Sequence, residues 1–311
     1  MSNSTISPTV IECFSRNLPN LKETRLRNYR SVAASSTTTA AATPPGVFFC
    51  SSPKDLTGFA DIILAHKATT DAAGGTRRIA SDFRQWSKDS EQDICMAASV
   101  YIIEELCEIL TIGYPNGWVL SNECTDRKLN KTANQIPAAK TKGKQAASPQ
   151  KEEESEIENL RYDMVFHAPS TNGEEDKTIA IIEFKKPQQI RYADFKSALL
   201  VRNSGKRRAS QFANGPLRGN AMSYSKQVSK YAAQQDCPHV ALFNWDHLLL
   251  YNFTDLNTGQ DTAGKTAGLT WVCENKKIEG EHIFYAPIRK VMLGWLLQAF
   301  GEHFGKKTSP S

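Results

Sequence analysis

The chain has 311 residues, 40% of them hydrophobic, with 38 Lys+Arg against 33 Asp+Glu and a formal net charge of +5. That is enough apolar material for a core, which excludes wholesale disorder, and the mild basic excess is compatible with a polyanionic partner without demanding one. Seven scattered cysteines, with no CxxC or Cys/His cluster, exclude a zinc site and a disulfide framework and point to reduced thiols inside a cell.

The first 45 residues are expected to form an ill-ordered leader with at most a short helix near Thr9 to Leu26, because Ser31 to Pro45 is a Ser/Thr/Ala-rich run ending in two prolines. The leader carries Arg16, Lys22, Arg25, Arg27 and Arg30, but Glu12 and Glu23 weigh against a mitochondrial presequence. Nucleus or cytoplasm is therefore the expected location, and with no run of 18 apolar residues no membrane span is expected.

One domain is expected over residues 46–305, followed by a tail at 306–311. Gly46 to Cys50 reads as a strand or an apolar lid. Glu91 to Leu110 reads as a mostly buried helix, with apolar residues on more than one face and Cys95 and Cys107 in its core. Gly113, Pro115, Asn116 and Gly117 turn the chain into a strand from Trp118 to Thr125. From about 127 to 158 lysines spread among Ala, Thr, Gln and Pro give way to the acidic run KEEESEIE, which reads as a disordered insertion.

Leu160 to Ala168 and Thr178 to Lys186 read as two strands joined by a hairpin loop containing Asn172-Gly173. A helix over Ala193 to Val201 and the basic loop Gly205 to Ser210 follow. Next come a helix over Tyr224 to Gln234 and a strand pair, His239 to Phe243 and His247 to Phe253. Thr254 to Gly268 reads as a loop. A last helix from Pro287 to Phe304 buries Ile288, Val291, Met292, Trp295, Leu296, Ala299 and Phe300. These elements predict an α/β domain, one mixed sheet flanked by helices.

The chemistry concentrates in the hairpin. Side chains alternate faces along a strand, so Glu183 and Lys185 in IIEFKKP share one face, at the end of a strand that begins with the apolar run from Ile179 to Ile182. Charges placed there are costly without partners. A hairpin symmetric about Gly173 sets Asp163, in RYDMVF, directly opposite Glu183, with Cβ atoms about 4.5–5.5 Å apart. Two carboxylates so close repel each other unless a divalent cation lies between them, and oxygen-only ligation suits Mg2+ or Mn2+. Asp163 and Glu183 are thus candidate metal ligands, and Lys185 a candidate stabiliser of charge in phosphodiester hydrolysis.

Asp163 followed by Glu183-Phe184-Lys185 resembles the PD-(D/E)XK, or restriction-endonuclease-like, nuclease superfamily. Gln227-Val228-Ser229-Lys230-Tyr231 resembles the QxxxY motif of its RecB-type branch, and Gln227 and Tyr231, four apart, share a helix face. The resemblance covers about residues 91 to 253, with Tyr162 where the family's name places proline. It implies a central mixed sheet flanked by helices, a Mg2+- or Mn2+-dependent nuclease activity, most simply on DNA, and a supporting role for Gln227 and Tyr231 beside the metal. A helix glutamate often completes such a site, and Glu91, Glu104 and Glu105 are candidates, Glu91 the first choice. Lys206, Arg207 and Arg208 of GKRRAS are candidate phosphate contacts, set against a plain solvated loop. His167, His239 and His247 read as structural or exposed, and Trp245, Tyr251 and Phe253 as core. Two other readings stay open: a catalytically inactive module of the same fold that binds nucleic acid or protein, and an intracellular toxin or selfish-element nuclease, since stand-alone domains with low-complexity leaders look like those in many fungal genomes.

Overall fold

Short apolar strands pair into one sheet, and helices cover both of its faces. The computed structural model describes residues 9–22, 43–73, 88–115, 117–125, 161–170, 176–201, 217–253 and 266–305. The first half of the chain contributes α1 (Val10–Cys13), β1 (Val47–Cys50), α2 (Lys54–Ala65), α3 (Lys67–Ala73), α4 (Glu91–Ala98), a π-helical turn (Ser99–Ile103), α5 (Glu104–Gly113) and β2 (Val119–Thr125). The second half contributes β3 (Arg161–Ala168), β4 (Lys177–Phe184), α6 (Tyr192–Phe195), a 3-10 turn (Lys196–Ala198), β5 (Leu199–Val201), α7 (Gly219–Gln234), β6 (His239–Phe243), β7 (Leu248–Asn252), β8 (Thr266–Cys273), β9 (Phe284–Tyr285) and α8 (Ile288–Phe304). The protein is α/β, with a nine-stranded mixed sheet ordered β2-β3-β4-β6-β7-β8-β1-β5 and β9 paired to β8.

Strands β2, β3 and β4 form an antiparallel meander; α7 then crosses over to place β6 parallel to β4. Alternation assigns the two faces. Met164, Phe166, Ile182, Phe184 and Phe243 pack into one core with residues of α2, α4, α5 and α8. Val165, Ile181, Val240 and Leu242 pack into a second core with α7.

All seven apolar residues expected on the buried face of α8 are buried, and so are Leu293, Gly294 and Arg289. A helix buried on nearly every side sits between two layers, here the sheet and α2. A Cβ on Gly294 would collide with the backbone carbonyl of Leu56, so the close approach of α8 to α2 requires glycine at this position. Trp245, Tyr251 and Phe253 are core residues as expected.

Several expectations need correction. Part of the supposed leader is packed: Val10, Cys13, Phe14, Leu18 and Leu21 are buried, and the helix there is the single turn of α1. The helix expected over Ala193 to Val201 stops early, because Leu199 to Val201 pairs with the free edge of β1. Thr266 to Gly268 is not loop but the start of β8, a strand that pairs with both β7 and β1. Helices α2 and α3 have no counterpart in the sequence reading. Cys95 and Cys107 are half-buried against the core, not within it. Residues 1–8, 23–42, the insertion at 127–158, and the tail at 306–311 lie outside the described residues. Among the described residues no helix is long and apolar enough to cross a membrane.

Candidate metal centre

The register of the β3–β4 hairpin decides where the charges meet. Met164 pairs with Ile182, Val165 with Ile181 and Phe166 with Ala180, the pairing of a hairpin symmetric about Gly173; one step further sets Asp163 opposite Glu183. A bulge between Phe166 and His167 shifts the pairing only on the loop side, away from the charges. The backbone N–H of Phe184 donates to Asp163 Oδ2 at 2.7 Å, which fixes one carboxylate oxygen. Past the end of β4 the chain stays pinned to the sheet, since Lys185 N–H donates to the carbonyl of Phe243 at 2.8 Å.

Helix α7 supplies the supports. Its Tyr224, Val228 and Tyr231 are buried against the sheet face that also carries Glu183. Gln227 Nε2 donates to Glu183 Oε1 at 2.7 Å and lies 2.5 Å from the hydroxyl of Tyr231. The ammonium of Lys185 meets the same Glu183 Oε1 at 2.5 Å and lies 5.3 Å from the centre of the Tyr224 ring, within range of a cation–π contact. Tyr224 in turn donates its hydroxyl hydrogen to Gln189 Oε1 at 2.5 Å.

Glu91 arrives from elsewhere. It is the first residue of α4, whose start is fixed by a capping box: Asp93 N–H donates to the Ser90 hydroxyl and Ser90 N–H to the Asp93 carboxylate. One carboxylate oxygen each from Glu91, Asp163 and Glu183 lie within 4.8 Å of one another, and Lys185 Nζ is 3.8 Å from Glu91. Of the helix glutamates considered, Glu91 joins the cluster. Glu104 is exposed, and Glu105 is buried on the far side of the π-turn, close enough to Cys13 to affect its thiol.

The electrostatics follow from burial. Glu183 is 4% exposed; Oε1 is doubly bonded, whereas Oε2 is buried with no hydrogen-bond partner. Burial pushes its carboxyl up to about 7 against the pull of Lys185, and the nearby Asp163 and Glu91 add to the rise. Burial also raises the Glu91 carboxyl. Burial opposes the charge on Lys185, but the attraction of Glu183 and Glu91 prevails and holds its ammonium above the ordinary lysine range. Three carboxylates around one ammonium leave a net negative charge. With a buried oxygen unpartnered and all donors carboxylate oxygens, the set fits a hard divalent cation such as Mg2+ or Mn2+.

The structure thus brings Asp163, Glu183, Lys185, Gln227, Tyr231 and Glu91 together. Lys206, Arg207 and Arg208 lie outside the described residues. The histidines have other roles: His239 meets Glu302 at 2.8 Å, and His247 accepts from the Trp271 indole at 3.1 Å while burial lowers its imidazole to about 4. Two residues beside the site were missed. Tyr224 carried a signal, standing three positions before Gln227 on the same helix face; Gln189 carried none. A cavity of about 480 Å³, lined by Ser51, Asp55, Asn252, Thr270, Trp295 and others, includes no residue of the cluster.

One further motif stands in the sequence, with only its last residue among the described ones. Gly259 to Thr266 reads GQDTAGKT, which fits the phosphate-loop pattern GxxxxGK[ST]. That loop needs a helix N-terminus after it to face the phosphates, and here Thr266 opens strand β8.

Compared with known protein families, curated proteins and solved structures, the chain matches none.

Proposed function

We propose that this chain is a divalent-metal-dependent phosphodiesterase that cuts nucleic acid, most simply DNA, with a restriction-endonuclease-like core. The observation that carries the reading is the buried, unpartnered Oε2 of Glu183 inside a cluster of three carboxylates. A buried carboxylate oxygen without a partner calls for an explanation, and here two further carboxylates beside it point to a cation. The order of elements supports the same reading: a helix, a three-stranded meander, a helix on the opposite face and a strand parallel to the third.

Glu91, Asp163 and Glu183 would hold the cation. Mg2+ or Mn2+ there would supply a concentrated positive field for the charge that develops on a phosphodiester in its transition state. Gln227 fixes Glu183 Oε1 by donating to it, while Oε2 keeps no hydrogen-bond partner and would be open to a cation. The Phe184 N–H does the same for Asp163 Oδ2. Lys185 keeps its proton, because the surrounding carboxylates favour the ammonium, and so offers a fixed positive charge beside the reacting group. Its contacts with Glu183 and the Tyr224 ring hold it in place before substrate arrives.

The test is cleavage of labelled linear, circular and single-stranded DNA with Mg2+, Mn2+ or EDTA, for wild type and Glu183→Ala. Metal-dependent cutting by the wild type that is lost in the variant is the expected result, and cutting of circles would mark an endonuclease. A folded wild type that binds no metal and cuts none of these substrates would overturn catalysis in favour of a binding module.

A further inference from the structure

We propose that the N-terminal segment Thr9–Lys22 is an intramolecular strap that seats Glu91 in the carboxylate cluster. The inference rests on the metal-site reading above. Asp163 and Glu183 are set by one hairpin, whereas Glu91 is placed by where α4 begins and by how α4 packs on the sheet. The capping box of Ser90 and Asp93 ties the first turn of α4 to itself and not to the sheet. Beyond the packing of Ile94 and Ala97 on the sheet, Lys88, just before the helix, ties its start to the strap and to a turn of the sheet. Its backbone N–H donates to the carbonyl of Lys22 at 3.0 Å, and its ammonium meets both carboxylate oxygens of Asp246 at 2.9 and 3.1 Å.

Asp246 lies in the turn between β6 and β7, next to Trp245. Trp245 has a φ of 74°, in the left-handed region that a bulky side chain avoids. Its indole N–H donates to the carbonyl of Pro19 at 3.0 Å, and its ring packs edge-on against Tyr101 at 5.8 Å. Lys22 of the strap and Asp246 of the turn therefore both hold Lys88, and the Trp245–Pro19 bond joins strap and turn directly.

A second clamp grips the same helical run further along. Arg289 of α8 is 4% exposed; its Nε donates to the carbonyl of Tyr101 in the π-turn at 2.8 Å and its Nη1 to the carbonyl of Cys13 at 2.7 Å. Between the two clamps Leu18 N–H donates to Glu274 Oε2 at 2.6 Å, while Glu274 Oε1 accepts from the first amide of α8 at 2.7 Å. Val10, Cys13 and Phe14 anchor the strap in the core that also holds Tyr101 and Trp245. The third metal ligand is thus held in part by the N-terminal segment, and loosening the strap would loosen Glu91 while leaving Asp163 and Glu183 in place.

The test uses the full chain with Leu18→Ala, which loosens the strap's hold on the core, and, separately, Trp245→Phe, which removes the indole bond to Pro19, each alone and combined with Glu91→Gln. Mn2+ affinity is read by calorimetry, and backbone amide exchange over residues 88–94 by mass spectrometry. Each single variant is expected to weaken Mn2+ binding about tenfold, the low end of what losing a supporting contact costs a metal site. In the Glu91→Gln background neither should weaken it further, since their effect passes through Glu91. Exchange over 88–94 should speed up while that of β3 and β4 stays unchanged. An equal loss of affinity in both backgrounds would make the strap a general stabiliser and overturn the proposal, as would unchanged exchange over 88–94. If Trp245→Phe does not fold, Leu18→Ala decides. If the wild type binds no Mn2+, the metal reading falls by that result alone and the seating of a metal ligand falls with it; strap anchoring of α4 is then judged by the exchange data.

Discussion

Replacing Glu183 by glutamine should make the metal-free protein more stable while removing its response to metal. Burial raises this carboxyl from an ordinary 4.5 to about 7. At about 1.4 kcal/mol per pH unit, that gap means that the ionised carboxylate costs the fold about 3 kcal/mol above pH 7. Because the folded-state value is raised, the group's contribution to stability is present below about pH 4.5 and is lost as pH rises through about 7. A neutral amide of the same shape escapes that loss. It keeps an oxygen for Gln227 and gains N–H donors toward Asp163 and Glu91, although Lys185 loses its nearest counter-charge. We expect Glu183→Gln to gain about 1–3 kcal/mol in urea unfolding at pH 8 in EDTA, closing toward zero as pH falls to 4.5. Millimolar Mn2+ should stabilise the wild type and not the variant. A variant less stable than wild type at pH 8 in EDTA would mean that Lys185 and Gln227 already satisfy the carboxylate, and the argument from the unpartnered oxygen would fail.

Two further outcomes follow from the same geometry. The cation must displace the proton from Glu183, whose carboxyl stands at about 7, so Mn2+ affinity measured by calorimetry should be flat above that pH and fall about tenfold per unit below it. Gly294→Ala should cost upwards of about 3 kcal/mol in urea unfolding, because the new methyl overlaps the Leu56 carbonyl and α8, pressed between the sheet and α2, cannot retreat.

The charged half of the site was legible because it is local. Asp163, Glu183 and Lys185 belong to one hairpin, and period-2 alternation with a symmetric loop sufficed to set two carboxylates face to face. Gln227 and Tyr231 came through the resemblance to the QxxxY motif, and helix spacing added only that the two share a face. The far half of the sheet was hidden for the opposite reason. β1 pairs with β8 and with β5, more than a hundred residues away in each case, so nothing near Leu199 in the sequence announces that its short apolar run completes an edge. The run was read as the end of a helix because local propensity was the only signal there, and tertiary pairing overrode it.

The strap was missed through composition. Ser31 to Pro45 reads as linker, and its character was extended back over residues 9–22. Yet that stretch holds Val10, Phe14, Leu18 and Leu21 at the spacing of a buried face, and a Thr9/Glu12 capping box marks a helix start. Its carbonyls then meet the Lys88 amide, the Trp245 indole and Arg289, three partners that no sequence window contains. The division has a physical logic. Ligands on a hairpin are fixed as soon as the hairpin forms, whereas a ligand at a helix start is only as well placed as whatever holds that helix. If the cluster holds a cation as proposed, Glu91 would therefore be the member through which the rest of the fold adjusts affinity, and Asp163 and Glu183 the members that set whether a site exists at all.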